Sequence, residues 1–446
     1  MQRIPLESVR DAGGEGPGPG PPPDAAALPE AGREEGADLR RTGGHALILA
    51  NRLPFPLDDG WKVRTFHIMR GIARALPSTA LVFHPARDVV TIAAARAALG
   101  PDVDLVTIEP PRAYTPLNLL RGMFTRLPVH VWNQESAGMR RALRAALAKG
   151  PEVVIAESTF MARYLDLLPP GVPRVVDTHN IDSITFRRYV ASLRSGPRRW
   201  YAAATVRRLK TLEAATFAKA TGVWVCSEEE RELAQRSAPS GRVWLVPNGV
   251  DTSYFAPTDQ APRASNSLLF FGRLDYFPNV DGLQYFVHEI LPLIAGRRPG
   301  VTLDIVGAGT GREVRELAAR HPSLRLVGRV PDLRALLDTA GVVVVPLRVG
   351  GGTRLKILEA LAMARPVVST SVGAEGLAVR GDQHLMLADT PQRFADAVIS
   401  LLEHPEQAKR LGEQGRDLVC QHYDWGHIGR IVARSLSVVT ASGSRE

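Results

Sequence analysis

The sequence is poor in cysteine, with Cys226 and Cys420 the only two among 446 residues. Two thiols so far apart build no disulfide framework and no cysteine-rich metal knuckle, and they fit a reducing cytoplasm. Long apolar runs are missing too: none approaches the ~20 residues that cross a bilayer. Met1 to Arg41 contains no stretch suited to a signal peptide. No His/Cys/Asp cluster at metal-ligand spacing stands out, so no metal is expected. The chain carries a net charge of +9, which favours anionic partners. No helix-turn-helix, finger or RNA-recognition signature accompanies that charge, so nucleic acid is not an expected partner.

Hydrophobic residues make up 45% and charged residues 23%, the balance of a globular protein too long for one ordinary core. Residues 1–43, centred on Gly16-Pro17-Gly18-Pro19-Gly20-Pro21-Pro22-Pro23, cannot bury enough apolar surface to order themselves and read as a disordered tail. Beyond it, short runs rich in valine and isoleucine alternate with helical patterns. The first series is Ala46–Ala50, Thr79–Phe83, Leu105–Ile108, Val153–Ala156, Arg174–Asp177, Gly222–Cys226 and Val243–Val246. Such runs, apolar on both faces, are expected of parallel strands covered on both sides by helices. One covering helix shows Phe66, Met69, Ile72, Ala73 and Leu76 on a single face. After the turn Pro247-Asn248-Gly249-Val250-Asp251 a second series follows: Leu268–Phe271, Thr302–Val306, Arg325–Val327, Val342–Val345, Pro366–Ser369 and His384–Leu387. Asp332 and Thr390 are expected helix caps. The pattern predicts an α/β protein of two Rossmann-like, doubly wound domains, whose ligands bind beyond the carboxyl ends of the strands. The expected boundaries are a tail over 1–44, domains over 45–247 and 248–420, and a closing helix and tail over 421–446.

The strongest motif begins at the strand Val342–Val345 and passes through Gly350-Gly351-Gly352-Thr353-Arg354-Leu355-Lys356 into a helix bearing Glu359. Glycines admit a close ligand, and the amides and dipole of a helix start favour a phosphate. Arg354 and Lys356 add positive charge, and Glu359 lies about a turn and a half into the helix, where a carboxylate can accept from a ribose diol. An ordinary glycine turn with a solvent-facing Glu is the plain alternative. Against it, Pro366-Val367-Val368-Ser369-Thr370 supplies the next buried strand one helix further on.

This stretch resembles glycosyltransferase family 4, the retaining group with the GT-B fold. That family pairs an acidic residue with a Glu eight positions on, then Ala, then a Pro-Val-Val strand. Glu359-Ala360 and Pro366-Val367-Val368 match the second part, whereas Gly351 stands at the first acidic position. The resemblance implies two facing Rossmann-like domains and a C-terminal helix crossing back to the first. Tyr423, Trp425, Ile428, Ile431 and Val432 suit that helix. It implies further that Glu359 meets the nucleotide ribose and that Arg273, after the strand Leu268–Phe271, meets the donor diphosphate. The family often has a second lysine shortly after that arginine. Here Pro278-Asn279 stands instead, and Lys356 is expected to take over its charge. His179, in Val175-Val176-Asp177-Thr178-His179-Asn180, matches a family histidine that meets the donor sugar. It is not assigned as a general base, because the leaving phosphate fills that role in retaining enzymes of this fold. The run Pro54-Phe55-Pro56-Leu57-Asp58-Asp59-Gly60-Trp61-Lys62-Val63-Arg64 resembles the family's N-terminal glycine loop, with Gly60 near the diphosphate and Lys62 and Arg64 toward an acidic acceptor.

The expected catalytic residues are therefore His179, Arg273 and Lys356. The expected donor-binding residues are Gly60, Gly352, Thr353, Arg354, Leu355 and Glu359. No cofactor is expected beyond a nucleotide diphosphate sugar as co-substrate, and the acceptor is left open among glycan, lipid-linked and small-molecule classes. Arg187, Arg188, Arg194, Arg198, Arg199, Arg207, Arg208 and Lys210, interleaved with Trp200 and Tyr201, form a basic stretch. It is either a solvated helix face or a peripheral contact with anionic lipid at the inner face of the cell membrane. Two other motifs carry less. Gly307-Ala308-Gly309-Thr310-Gly311-Arg312 reads as a turn, and Asp102-Val103-Asp104 precedes a strand rather than ending one. A nucleotide-sugar epimerase of the same fold and a non-catalytic nucleotide-sugar-binding protein remain as alternatives.

Overall fold

The computed structural model describes residues 44–111, 127–192, 195–239, 242–258, 266–350 and 352–443. The tail over 1–43, Arg194 and Gly351 lie outside the described residues, as does the side chain of Arg198. The chain separates into two compact units. Among the described residues, one holds Val250–Gly350 and Arg354–His422; the other holds 44–249 together with Gly352, Thr353 and 423–443.

In the N-terminal unit, β1 (Ala46–Ala50), β2 (Ser78–Phe83), β3 (Val103–Ile108), β4 (Val153–Glu157), β5 (Arg174–Asp177), β6 (Gly222–Val225) and β7 (Val243–Leu245) form a seven-stranded sheet in the order β3-β2-β1-β4-β5-β6-β7. In the C-terminal unit, β8 (Ser267–Phe271), β9 (Thr302–Val306), β10 (Leu324–Gly328), β11 (Val342–Val345), β12 (Val367–Ser369) and β13 (Met386–Leu387) form a six-stranded sheet in the order β10-β9-β8-β11-β12-β13. Every strand pair is parallel. Each strand order reverses beside the unit's first strand, which creates a crevice at the carboxyl ends of β1 and β4 in one unit and of β8 and β11 in the other.

The apolar runs become strands because helices seal both of their faces. All five residues of β1 are fully buried, and one face packs with Phe66, Met69 and Ile72 while the other packs with Met139 and Leu143. The ends of several runs move by a residue or two. β3 begins at Val103, so Asp104 lies within a strand with its side chain exposed. Thr390 caps its helix through the Arg393 amide, as expected. Asp332 does not cap: the helix starts at Arg334, and Asp332 instead accepts from the Arg334 amide at 2.9 Å.

The C-terminal helix Trp425–Gly443 belongs to the N-terminal unit and packs along the opening helix Gly60–Ala75. Close approach is possible because glycine meets glycine: a Cβ at Gly71 would lie 3.3 Å from the Cα of Gly429. Nearby, His67 stacks on Trp425 with ring centroids 4.5 Å apart. No helix among the described residues is long and apolar enough to cross a membrane.

Candidate functional site

In the C-terminal unit the turns after β8 and β11 converge on one amine. β8 is followed by Gly272, whose φ of +139° favours glycine, and a Cβ there would lie 2.9 Å from Lys356 Nζ. Lys356 is the second residue of the helix Leu355–Ala362. Its Nζ donates to Asn279 Oδ1 at 2.8 Å and sits 4.9 Å from the centre of the Phe270 ring. Asn279 Nδ2 donates in turn to the Arg273 carbonyl at 2.8 Å. Asn279 thus holds the amine of Lys356 beside the β8 turn. Burial, then the charge of Arg354, pulls the Lys356 amine down to about 7 despite Glu359. Lys356 makes no ion pair among the described residues, and no side chain caps the helix start at Arg354. Helix amides and an amine without an ion-pair partner among the described residues together attract an anion. One turn further, burial raises Glu359 to about 7, opposed by Lys356.

Arg273 is placed less simply. Its guanidinium makes two hydrogen bonds to Asp275, at 3.0 and 2.6 Å, and both side chains are more than 40% exposed. Exposed pairs contribute only about 0–1 kcal/mol, so a diphosphate can compete for the guanidinium. The Gly307–Gly309 turn packs behind this corner: a Cβ at Gly309 would meet Asp275 at 2.5 Å. Its glycines therefore serve close packing of two turns.

Gly352 and Thr353 group with the N-terminal unit. Thr353 Oγ1 accepts from Asn248 Nδ2, and Gly352, at φ +71°, leaves room for Asn180 Oδ1. Gly60 is not in a loop. It opens the first helix, which Asp59 caps by accepting from the Lys62 amide at 2.9 Å. The reading of Arg64 as a residue turned toward an acceptor is corrected. Arg64 is 1% exposed, ion-paired with Asp177, and donates to the carbonyls of Val246 and Pro247 at 2.9 and 3.2 Å. It lies on the buried face of the helix, so its charge is satisfied inside the protein. Lys62 pairs with Asp58 at 2.8 Å.

The Arg64–Asp177 pair belongs to a buried group at the ends of β4 and β5 which the motifs did not reveal. His179 Nε2 lies 3.0 Å from Glu157 Oε2 and 3.8 Å from Asp177 Oδ2. Its ring stacks on Trp61 at 5.3 Å, and the Arg52 guanidinium also lies over that indole at 4.5 Å. Burial drives His179 down to about 3, so the ring is neutral at physiological pH. Burial raises Glu157 to about 7, with Arg64 opposing. The turn bearing His179 is bracketed from behind. Glu230 accepts from the amides of Ile181 and Cys226, both at 3.0 Å, and Glu213 accepts from the Ser183 amide at 3.0 Å. The buried Cys226 thiol donates to the carbonyls of Thr178 and His179, and both cysteines are free. The sequence did carry a hint of Glu157 as a carboxylate that ends an otherwise apolar strand.

Glu157, Asp177 and His179 also bring potential metal ligands within 4.8 Å of one another. Both Asp177 oxygens, however, bond to the Arg64 guanidinium, and Glu157 Oε2 accepts from Thr65 Oγ1. A divalent cation here would face a fixed positive charge, so the group is better described as a neutralised charge cluster.

Comparison with known proteins agrees with this architecture. Residues 85–249 match the model of the glycosyl transferase 4-like domain, and residues 265–404 match that of the glycosyl transferases group 1. The sucrose-phosphate synthase of Thermosynechococcus elongatus superposes with a TM-score of 0.67 at 18% identity, covering 89% of this chain and 100% of that one. The fold is GT-B. The Anabaena protein HepE in complex with UDP-glucose gives a TM-score of 0.60 at 14% identity, covering 88% of this chain and 99% of that one. Among curated proteins, the phosphatidyl-myo-inositol mannosyltransferase of Mycobacterium tuberculosis is 31% identical over 212 residues, which is 45% of this chain and 55% of the relative. The chain thus spans about half the length of that relative.

Proposed function

We propose that this GT-B chain is a retaining glycosyltransferase that moves a sugar from a nucleotide diphosphate sugar to an acceptor of glycan, lipid-linked or small-molecule class, without a metal ion. The observation that carries the reading is the amine of Lys356, held by an amide and an aromatic ring at an uncapped helix start. The leaving diphosphate would supply the missing counter-charge. The bond from the anomeric carbon to the phosphate oxygen breaks, the bond to the acceptor oxygen forms on the same face, and the acceptor's proton passes to the departing phosphate. Lys356, Arg273 and the amides at Leu355 and Lys356 stabilise the charge growing on that phosphate, with Arg354 adding to the positive field. Glu359 accepts from the ribose diol, and His179 meets a hydroxyl of the donor sugar. Similarity to glycosyl transferase domains and to HepE, whose structure holds UDP-glucose, supports a nucleotide-sugar donor.

The same reading puts the enzyme in the cytoplasm, with the helix Pro197–Lys219 against an anionic lipid surface. Trp200 is 76% exposed on it, beside exposed Arg199, Arg207 and Lys210. The testing experiment is a thermal-shift screen over nucleoside diphosphates and their sugars, followed by a transfer assay with excess chelator. Specific stabilisation by one nucleotide series and chelator-insensitive transfer are expected. Absence of any shift, or an absolute need for a divalent ion, would refute the proposal.

A further inference from the structure

We infer that Glu157 is a positioning residue that fixes His179 in the tautomer protonated on Nε2, leaving Nδ1 as an acceptor for a sugar hydroxyl. The inference rests on the role proposed for His179 at the donor sugar. Glu157 is fully buried at the end of β4, and its Oε2 both accepts from Thr65 Oγ1 at 3.2 Å and lies 3.0 Å from His179 Nε2. An oxygen already accepting one hydrogen bond is set to accept the second, so Nε2 carries the hydrogen. Protonation of Glu157 need not reverse this. Its Oε1 has no partner, so a proton there would be unsatisfied, whereas Asp177, with which Glu157 also hydrogen-bonds, can share that proton. Asp177 Oδ2, 3.8 Å from Nε2 and tied to Arg64, also favours a hydrogen on that nitrogen. Stacking on Trp61 fixes the plane of the ring. Nδ1 makes no hydrogen bond to a described residue and is not among the buried unpaired atoms. It is therefore open to a ligand. A neutral ring with a defined acceptor recognises a hydroxyl by direction, which a ring free to exchange tautomers does less well.

The experiment is nitrogen-15 NMR of the full chain labelled at histidine, with the His179 signals assigned by their loss in His179→Asn, combined with transfer kinetics. In the unsubstituted chain, Nε2 should appear protonated and Nδ1 unprotonated. Glu157→Gln, whose amide oxygen still accepts, should keep that state, whereas Glu157→Leu should mix the tautomers and lower kcat by roughly tenfold. In a His179→Asn background the asparagine oxygen stands where Nδ1 stood, and Glu157→Leu should then cost little more. A proton on Nδ1 in the unsubstituted chain, or an unchanged tautomer in Glu157→Leu, would overturn the inference. The first of these results needs no variant to fold. If the tautomer follows Glu157 but His179→Ala transfers sugar normally, it is instead the role of His179 at the sugar that fails.

Discussion

A buried cation, Arg64, and a partly buried one, Lys356, stand at the strand ends of the two units, and their surroundings differ in kind. Arg64 meets a carboxylate, two backbone carbonyls and an asparagine oxygen. Lys356 meets an amide oxygen and a phenyl ring and no carboxylate. The first cation is fully compensated by the protein and acts in folding. The second is offset only in part, by the field of Glu359, and burial, then the charge of Arg354, depresses its basicity, so an arriving anion adds the counter-charge. Proximity of a cation to a strand end is therefore a weaker guide to ligand binding than the identity of its partners.

Removing each cation should break this comparison in opposite ways. Arg64→Leu leaves Asp177 and Glu157 buried without their partner, so stability should fall by about 3–5 kcal/mol, read as a drop in the urea midpoint of the N-terminal unit. A midpoint within error of the parent would contradict the structural role. Lys356→Met should keep the melting temperature while lowering kcat by roughly 10²–10³-fold, and near-normal turnover would remove Lys356 from the phosphate site. Glu359→Ala should weaken nucleotide affinity about tenfold with little change in kcat, as measured by calorimetry. Unchanged affinity would argue against a ribose contact.

The smallest effect expected is on pH dependence. Lys356, flanked by Arg354, Glu359 and Asn279, titrates near 7 in the free chain, and a bound diphosphate raises that value. Nucleotide affinity from this group is then full below pH 7 and declines as pH rises from 7 toward the bound-state value. At pH 8, binding should take up most of one proton, seen as a dependence of calorimetric enthalpy on buffer ionisation. Lys356→Met should lose that uptake, and equal uptake in both proteins would dissociate it from Lys356.

Much of the fold was legible because its determinants are local. Buried β-branched runs such as Val342–Val345 announce parallel strands, and the glycines at 350 and 352 followed by Leu355–Ala362 announce a strand-to-helix turn. Lys356 and Glu359 could be singled out for the same reason. What stayed hidden was pairing over long stretches of chain. Arg64 finds Asp177 113 residues away, and Lys356 finds Asn279 77 residues away. Helical periodicity does put Arg64 one turn from the apolar Ile68, but it does not say that a carboxylate waits on the buried side. Glu157, just past the run read as Val153–Ala156, drew no notice in the sequence and proved to be the partner of His179.

The most direct test is a structure of the chain with a nucleoside diphosphate bound. The account predicts a β-phosphate oxygen within hydrogen-bonding distance of Lys356 Nζ and of the amides that open the Leu355–Ala362 helix, with Glu359 on the ribose. A nucleotide bound elsewhere, with Lys356 still turned only to Asn279 and Phe270, would contradict it.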